Sequence, residues 1–131
     1  MIDIVIPVLN NPQWLSMCLT AIRAHTKTTG YQIIIVDNGC GADTKRLIDL
    51  VAVKGMNAKV IHHDNTSFSS SCNLGIAAGT NPYVCLMNSD VIVMDNWDTY
   101  MLADMADPTC GLTGARTNAG AGWMGDPSSW G

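Results

Sequence analysis

The sequence predicts an α/β domain with a mostly parallel sheet flanked by helices on both faces. Three observations carry this expectation. Apolar runs of strand length alternate with segments of helical period, in the order strand, helix, strand, helix, strand, helix, strand. The run Ile33-Ile34-Ile35-Val36 is β-branched throughout, as strands covered on both faces are. Strict alternation also requires right-handed crossovers, which return each strand parallel to the last.

The elements follow in order. Ile2 to Val8 reads as a strand, with Pro7 near its end where a missing N–H is tolerated. Asn10-Asn11-Pro12 opens a helix, with Asn as cap and Pro at an early position. Trp14, Leu15, Cys18, Leu19 and Ile22 form its apolar face, and Gly30 stops the segment. Tyr31 to Val36 is the second strand, ending at Asp37-Asn38-Gly39. A helix over roughly 43–54 turns Leu47, Ile48 and Val51 inward. Ala58 to His62 is a third, shorter strand. Asp64-Asn65-Thr66-Ser67 caps a helix carrying Cys72, Ile76 and Ala77, and Gly79-Thr80-Asn81-Pro82 is a turn. The fourth strand, Tyr83 to Met87, stops at Asn88-Ser89-Asp90, and the apolar run Val91 to Met94 follows. A helix with Trp97, Met101 and Met105 spaced by four comes next, its pattern that of a core face. Cys110 to Thr113 is a candidate for one more short strand. The expected organisation is one domain over 1–114 and a Gly-rich loop or tail over 115–131.

Bulk properties narrow the function. The chain has 131 residues, 47% of them apolar and only 14% charged, with a formal net charge of −4. No Lys/Arg cluster is present, which argues against nucleic acid as a partner. No apolar stretch approaches the ~20 residues of a membrane span. Asp3 stands where a secretory leader would be basic, so a cytoplasmic location is expected. The five cysteines are odd in number and lie mostly in apolar runs, as reduced core residues do. His62 and His63 are adjacent on a strand and point to opposite faces, a poor geometry for one metal ion. His25 is expected at a helix end, interacting with the dipole. Trp123 and Trp130 in the tail suit either sugar stacking or anchoring.

Ligands of open parallel sheets bind beyond the carboxyl ends of the strands. The residues leaving those ends are Pro7, Leu9 and Asn10; Asp37 and Asn38; Asp64 and Asn65; and Asn88, Ser89 and Asp90. Any one set could serve only as a turn. Asp37 and Asp90 together are harder to read so, since both directly follow buried strands. A carboxylate and a carboxamide two residues apart, Asp90 and Asn88, can hold a divalent metal and a sugar hydroxyl together.

These segments resemble family 2 glycosyltransferases of the GT-A (Rossmann-like) fold. The resemblance rests on Ile4-Val5-Ile6-Pro7-Val8-Leu9-Asn10-Asn11, Ile34-Ile35-Val36-Asp37-Asn38-Gly39, Asn65-Thr66-Ser67-Phe68 with Cys72-Asn73-Leu74-Gly75-Ile76, and Leu86-Met87-Asn88-Ser89-Asp90-Val91, which is similar to the family's Asp-X-Asp motif. It covers roughly residues 2–105. It implies an inverting transferase moving a sugar from a nucleotide-diphosphate donor to an acceptor hydroxyl, with Mn²⁺ or Mg²⁺. By the same resemblance Asp37 accepts a hydrogen bond from the nucleobase, and Pro7, Leu9 and Asn10 pack around base and ribose. Asn65 and Asn73 line the nucleotide pocket, Asn88 takes the first motif position, and Asp90 is the metal ligand.

Three departures stand out. Asn88 replaces a carboxylate, Ser67 and Cys72 stand where the family favours a glycine and a basic residue, and no acidic catalytic base is apparent after residue 115. Asp126, in Gly-Asp-Pro-Ser, reads as a turn residue. The catalytic base is therefore unassigned. The alternative is a non-catalytic nucleotide-sugar-binding or assembly module of the same fold. An uncovered sheet edge would also favour self-association into a homo-oligomer.

Overall fold

The computed structural model describes residues 1–53, 55–64 and 67–115. Its order is β1 (Ile2–Val8), α1 (Pro12–His25), β2 (Gln32–Asn38), α2 (Ala42–Val53), β3 (Ala58–His63), α3 (Phe68–Ala78), β4 (Tyr83–Leu86) and α4 (Trp97–Asp104). The described chain falls into two compact units, residues 1–95 and a second beginning at Asn96. No described helix is long and apolar enough to cross a membrane.

The first unit is a four-stranded parallel sheet in the order β3-β2-β1-β4. The two central strands are buried along almost their whole length, which is what their unbroken apolar runs require. The outer strands β3 and β4 hold only half-buried and exposed positions, strictly alternating in β4. Side chains of alternate residues serve opposite faces. Val5, Ile34 and Val36 form the core on the α3 face, with Ile61 and Ala78 against them. On the other face α2 packs on β2 and β3, and α1 lies against α2.

Pro7 sits inside central strand β1, which is unusual. The Val5 carbonyl accepts from Met87 N–H at 2.9 Å, so alternate groups from Asp3 through Val5 to Pro7 point toward β4. The ladder with β4 ends where Val5 meets Leu86. The N–H that proline lacks would therefore point past the end of that ladder.

Two residues set how closely α3 and its exit approach the sheet. A methyl group at Gly75 would collide with Val5 Cγ1 and press on Val36 Cγ2, so only glycine lets α3 lie this low. Asp3 is fully buried at the opposite end of β1. Its Oδ2 accepts from the backbone N–H groups of Thr80 (2.7 Å) and Asn81 (2.8 Å), and its Oδ1 from Asn81 Nδ2 (2.7 Å). The carboxylate thus fixes the turn that feeds β4.

Several expectations are corrected in detail. Asn11 is the N-cap of α1 by position, but it is left-handed (φ 58°) and its side chain makes no capping bond. The helix ends at His25, with the Thr26 N–H on Ile22 O at 3.0 Å, before Gly30. Trp14 is 49% exposed, and Ala21 joins Leu15, Cys18, Leu19 and Ile22 on the buried stripe instead. Trp14 shares the helical face of Cys18 and Ala21, four and seven residues on, but stands in the first turn of the helix. Ile76 and Ala77 of α3 are exposed, whereas Ser71, Cys72 and Gly75 face inward. Ser67 caps α3 as expected, its Oγ accepting from Ser70 N–H at 3.2 Å.

In the second unit α4 begins after left-handed Asn96. Trp97, Met101 and Met105 are half-buried. Cys110 to Thr113 is not a strand. Side-chain bonds hold it, with Thr113 Oγ1 donating to Asp104 Oδ2 at 2.8 Å, and Asp107 Oδ1 accepting from both N–H and Oγ1 of Thr109. Residues 116–131, with Trp123, Asp126 and Trp130, lie outside the described residues.

Replacing Asp3 by Ala removes a charged acceptor from two backbone donors and one amide. We expect a loss of about 3 kcal/mol in urea-unfolding stability, with Asp3→Asn recovering part of it. Gly75→Ala should cost about 1–3 kcal/mol through overpacking. A loss below about 0.5 kcal/mol in either Ala variant would contradict the packing described.

Candidate functional site

Because all four strands run parallel, their carboxyl ends share one edge, and the four exits lie beside one another in the order of the sheet. Along that edge stand His62 to Asp64, then Asp37 to Gly41, then Pro7 to Asn11, then Met87 to Asp90.

The first two central exits are tied together. Asn10 and Asn11 both adopt left-handed backbone, φ 62° and 58°, a conformation Asn tolerates better than most residues. Asn10 Oδ1 accepts from Gly41 N–H at 2.7 Å, and Asn10 N–H donates to Cys40 Sγ at 3.4 Å. Cys40 Sγ–H in turn donates to Val8 O at 3.2 Å. Burial pushes the Cys40 thiol up to about 11, so it stays protonated and able to donate. The loops after β1 and β2 are thus one hydrogen-bonded unit. Strained backbone concentrated at a sheet edge marks candidate functional positions.

Asp37 lies under this unit, between Val8 and His62 in the sheet register. Its side chain is 1% exposed. Oδ1 accepts from Cys40 N–H at 2.7 Å, and Oδ2 is 2.9 Å from His62 Nδ1. Burial alone would raise the carboxyl, but the His62 and Cys40 hydrogen bonds outweigh it and, with the Lys45 charge, hold it below its usual value. His62 is 57% exposed, and its Nε2 stands 3.9 Å from Asp49 Oδ1 on α2.

At the far exit, Asn88 O accepts from Val91 N–H at 3.3 Å, which closes a turn around Ser89 and Asp90. The Asn88 and Asp90 residues are exposed on that turn. Helix α1 holds the segment at two points. Cys18 Sγ–H, kept protonated by burial at about 11, approaches Asn88 O at 3.8 Å. His25 Nδ1 meets Asp95 Oδ1 at 2.7 Å. The pair holds the Asp95 carboxyl below its usual value. His25 does stand at the end of α1, and its partner is this carboxylate.

The structure therefore brings Asn10 and Asp37 into one loop cluster and presents Asn88 with Asp90 on a neighbouring turn. Pro7 is buried within β1, Leu9 is exposed beside Asn10, and Asn73 is exposed on α3. Asn65 lies outside the described residues. Among the described residues no group of three or more His, Cys, Asp or Glu could hold a metal ion, and Asp90 is the one carboxylate of the Asn88-Ser89-Asp90 turn. A divalent ion shared with substrate phosphates needs only one or two carboxylates, and an exposed Asp on a turn fits that demand. A basin lined by Arg23, Lys27, Tyr31 and Asn57 lies at the opposite edge, away from these groups.

Sequence reading missed His62 as a partner of Asp37. It rejected the His pair as a metal cluster because adjacent strand residues diverge. That same alternation, applied across the β2–β3 register, puts His62 on the face of Asp37.

The chain matches the family model of Glycosyl transferase family 2 over residues 3–129. It is 30% identical over 116 residues to a pre-mycofactocin glycosyltransferase of Mycobacterium tuberculosis, covering 88% of this chain and 23% of that protein. It is 27% identical over 97 residues to glycosyltransferase GlyG of Streptococcus pneumoniae, covering 73% of this chain and 32% of the relative. The crystal structure of S. aureus TarS 1-349 superposes with a TM-score of 0.71 at 15% identity, over 81% of this chain and 32% of that one. That likeness shows the fold, GT-A. The chain spans between about a quarter and a third of the length of these proteins.

A carboxyl held below its usual value of 3.8 stabilises the fold at pH above that value. This contribution is complete above about pH 5 and drains away as the pH falls through 3.8 toward the lower folded-state value. Asp37→Asn should lose about 1–3 kcal/mol near pH 7 and show a shallower acid limb in urea titrations between pH 3 and 7. Identical acid limbs would show that Asp37 is not held as described.

Proposed function

The chain belongs to glycosyl transferase family 2, and from that premise we propose that it carries the donor-binding half of an inverting, metal-dependent sugar transferase. The observation supporting this most strongly is the shared sheet edge. It joins a buried, ionised Asp37 to an exposed Asn88-Ser89-Asp90 turn two strands away. Two strand spacings are roughly 10 Å, a span suited to a nucleoside diphosphate with its base at one end and its phosphates at the other.

Asp37 is an acceptor and would take an N–H of the base. Uracil, thymine and guanine each offer one. Pro7, Leu9 and Asn10 would border base and ribose, with Asn65 and Asn73 from the other side and Asn88 near the ribose. Asp90 would hold Mn²⁺ or Mg²⁺ against the diphosphate. Such an ion supplies Lewis-acid stabilisation of the departing diphosphate. The chain's own part is to orient the donor so that an acceptor hydroxyl can displace the diphosphate at the anomeric carbon. The acceptor and the base that deprotonates it are not assigned to residues here.

A second reading is a non-catalytic module that binds a nucleotide sugar without turnover. It is favoured by the single carboxylate in the Asn88-Ser89-Asp90 motif. Sugar transfer or donor hydrolysis by this chain, abolished by Asp90→Ala, would eliminate it.

Calorimetry with Mn²⁺ and a panel of nucleotide-diphosphate sugars tests the main reading. At least one donor should bind, and Asp90→Ala should weaken its Mn²⁺-dependent binding by about tenfold or more, the loss of one charged ligand. No binding across the panel, together with an Asp90→Ala variant indistinguishable from wild type, would sink the proposal.

A further inference from the structure

Asp37 is hydrogen-bonded by an exposed side chain that can rotate away, His62. Of the two residues that hydrogen-bond it, Cys40 gives its N–H from the backbone of a loop locked to Asn10. The other, His62 Nδ1, belongs to a ring joined to the strand by two rotatable bonds and largely open to solvent. Asp37 itself is 1% exposed and Cys40 is buried, so the imidazole is the one solvent-exposed partner of the carboxylate. An incoming ligand N–H that takes the place of Nδ1 would find the same acceptor, Oδ2, at hydrogen-bond distance.

We infer that His62 is a built-in stand-in for the nucleobase, its Nδ1–H holding the acceptor oxygen of Asp37 until a base N–H displaces it. This inference rests on the reading of Asp37 as the base acceptor. The exchange is like for like: one N–H leaves the carboxylate and another takes its place, so no buried acceptor is left unpaired. A base edge offering no N–H would expel His62 without replacing its hydrogen bond, and would be rejected. His62 thereby makes Asp37 selective as well as shielded. The charged groups facing the ring are Asp37 on β2 and Asp49 on α2, with Lys45 of α2 acting on Asp37. Asp49 stands 3.9 Å from Nε2, on the helix above the ring.

The test is calorimetry of the chain with UDP, GDP and inorganic pyrophosphate, each with Mn²⁺, for wild type, His62→Ala and His62→Asn. Removing the competitor should tighten UDP or GDP binding roughly threefold to tenfold, while pyrophosphate, which has no base, binds unchanged. Asn can place an N–H near the position of Nδ1, so His62→Asn should stay close to wild type. Weaker or unaltered nucleotide binding by a folded His62→Ala overturns the inference. A second readout needs no variant: the ring ¹⁵N shifts of His62 should move when UDP or GDP saturates the wild type. Unmoved shifts at saturation also overturn it. Failure of every form to bind either nucleotide would instead refute the nucleotide site proposed above, and this inference with it.

Discussion

Burial of β1 and β2 on both faces is the constraint from which the rest follows. Ile4, Val5, Ile6, Val8 and Ile33 to Val36 expose almost nothing. Each such side chain gains roughly 1.5–3 kcal/mol from leaving water, and none of that is available unless helices cover both faces. Helices on both faces require crossovers between strands, and crossovers make the strands parallel. Parallel strands put every exit at one edge. Polar residues from Asn10 to Asp90 are thereby gathered at one edge by the topology of the sheet.

Gathering is not yet precision. The loops after β1 and β2 are short, and they fix each other through Asn10, Cys40 and Gly41. Cys40 is the centre of that arrangement. Its N–H holds Asp37, its thiol donates to Val8, and its sulfur receives Asn10. A buried thiol that stays protonated at neutral pH is suited to this small hydrogen-bonding role and poorly suited to redox chemistry. The motif turn is held separately, from below by Cys18 and further along by the His25–Asp95 pair. Thus α1 supports Asn88 and Asp90, while the β1–β2 loop unit supports Asp37.

The element order was legible because period and composition change sharply between strands and helices. Features that depend on one side chain meeting another across the sheet were not. Asn11 looks like a capping residue, and its position is right, but the left-handed backbone leaves its side chain uninvolved. Cys110 to Thr113 has strand composition, yet local bonds from Thr109 and Thr113 hold it as a loop. Asp3 reads as a surface charge in sequence. Its burial depends on a turn 77 residues away. Among the site residues, Asp37 and Asp90 stand out because each directly follows a buried run. His62 does not, since its importance is a property of register rather than of neighbours in sequence.

The two carboxylates at the site are prepared for different work. Asp37 is buried, ionised and already hydrogen-bonded, so any ligand it takes must replace an existing partner. In the proposed reading selectivity would follow from that replacement, because a poor partner leaves a buried charge short of a bond. Asp90 is exposed on a turn and surrounded by water, so an ion can join it with little rearrangement. A single exposed carboxylate also binds an ion weakly by itself. In the proposed reading the ion would depend on the diphosphate that arrives with the base, and the base on Asp37. Recognition at the buried end and charge compensation at the exposed end would thereby be linked through one ligand, and neither end would need to be strong alone.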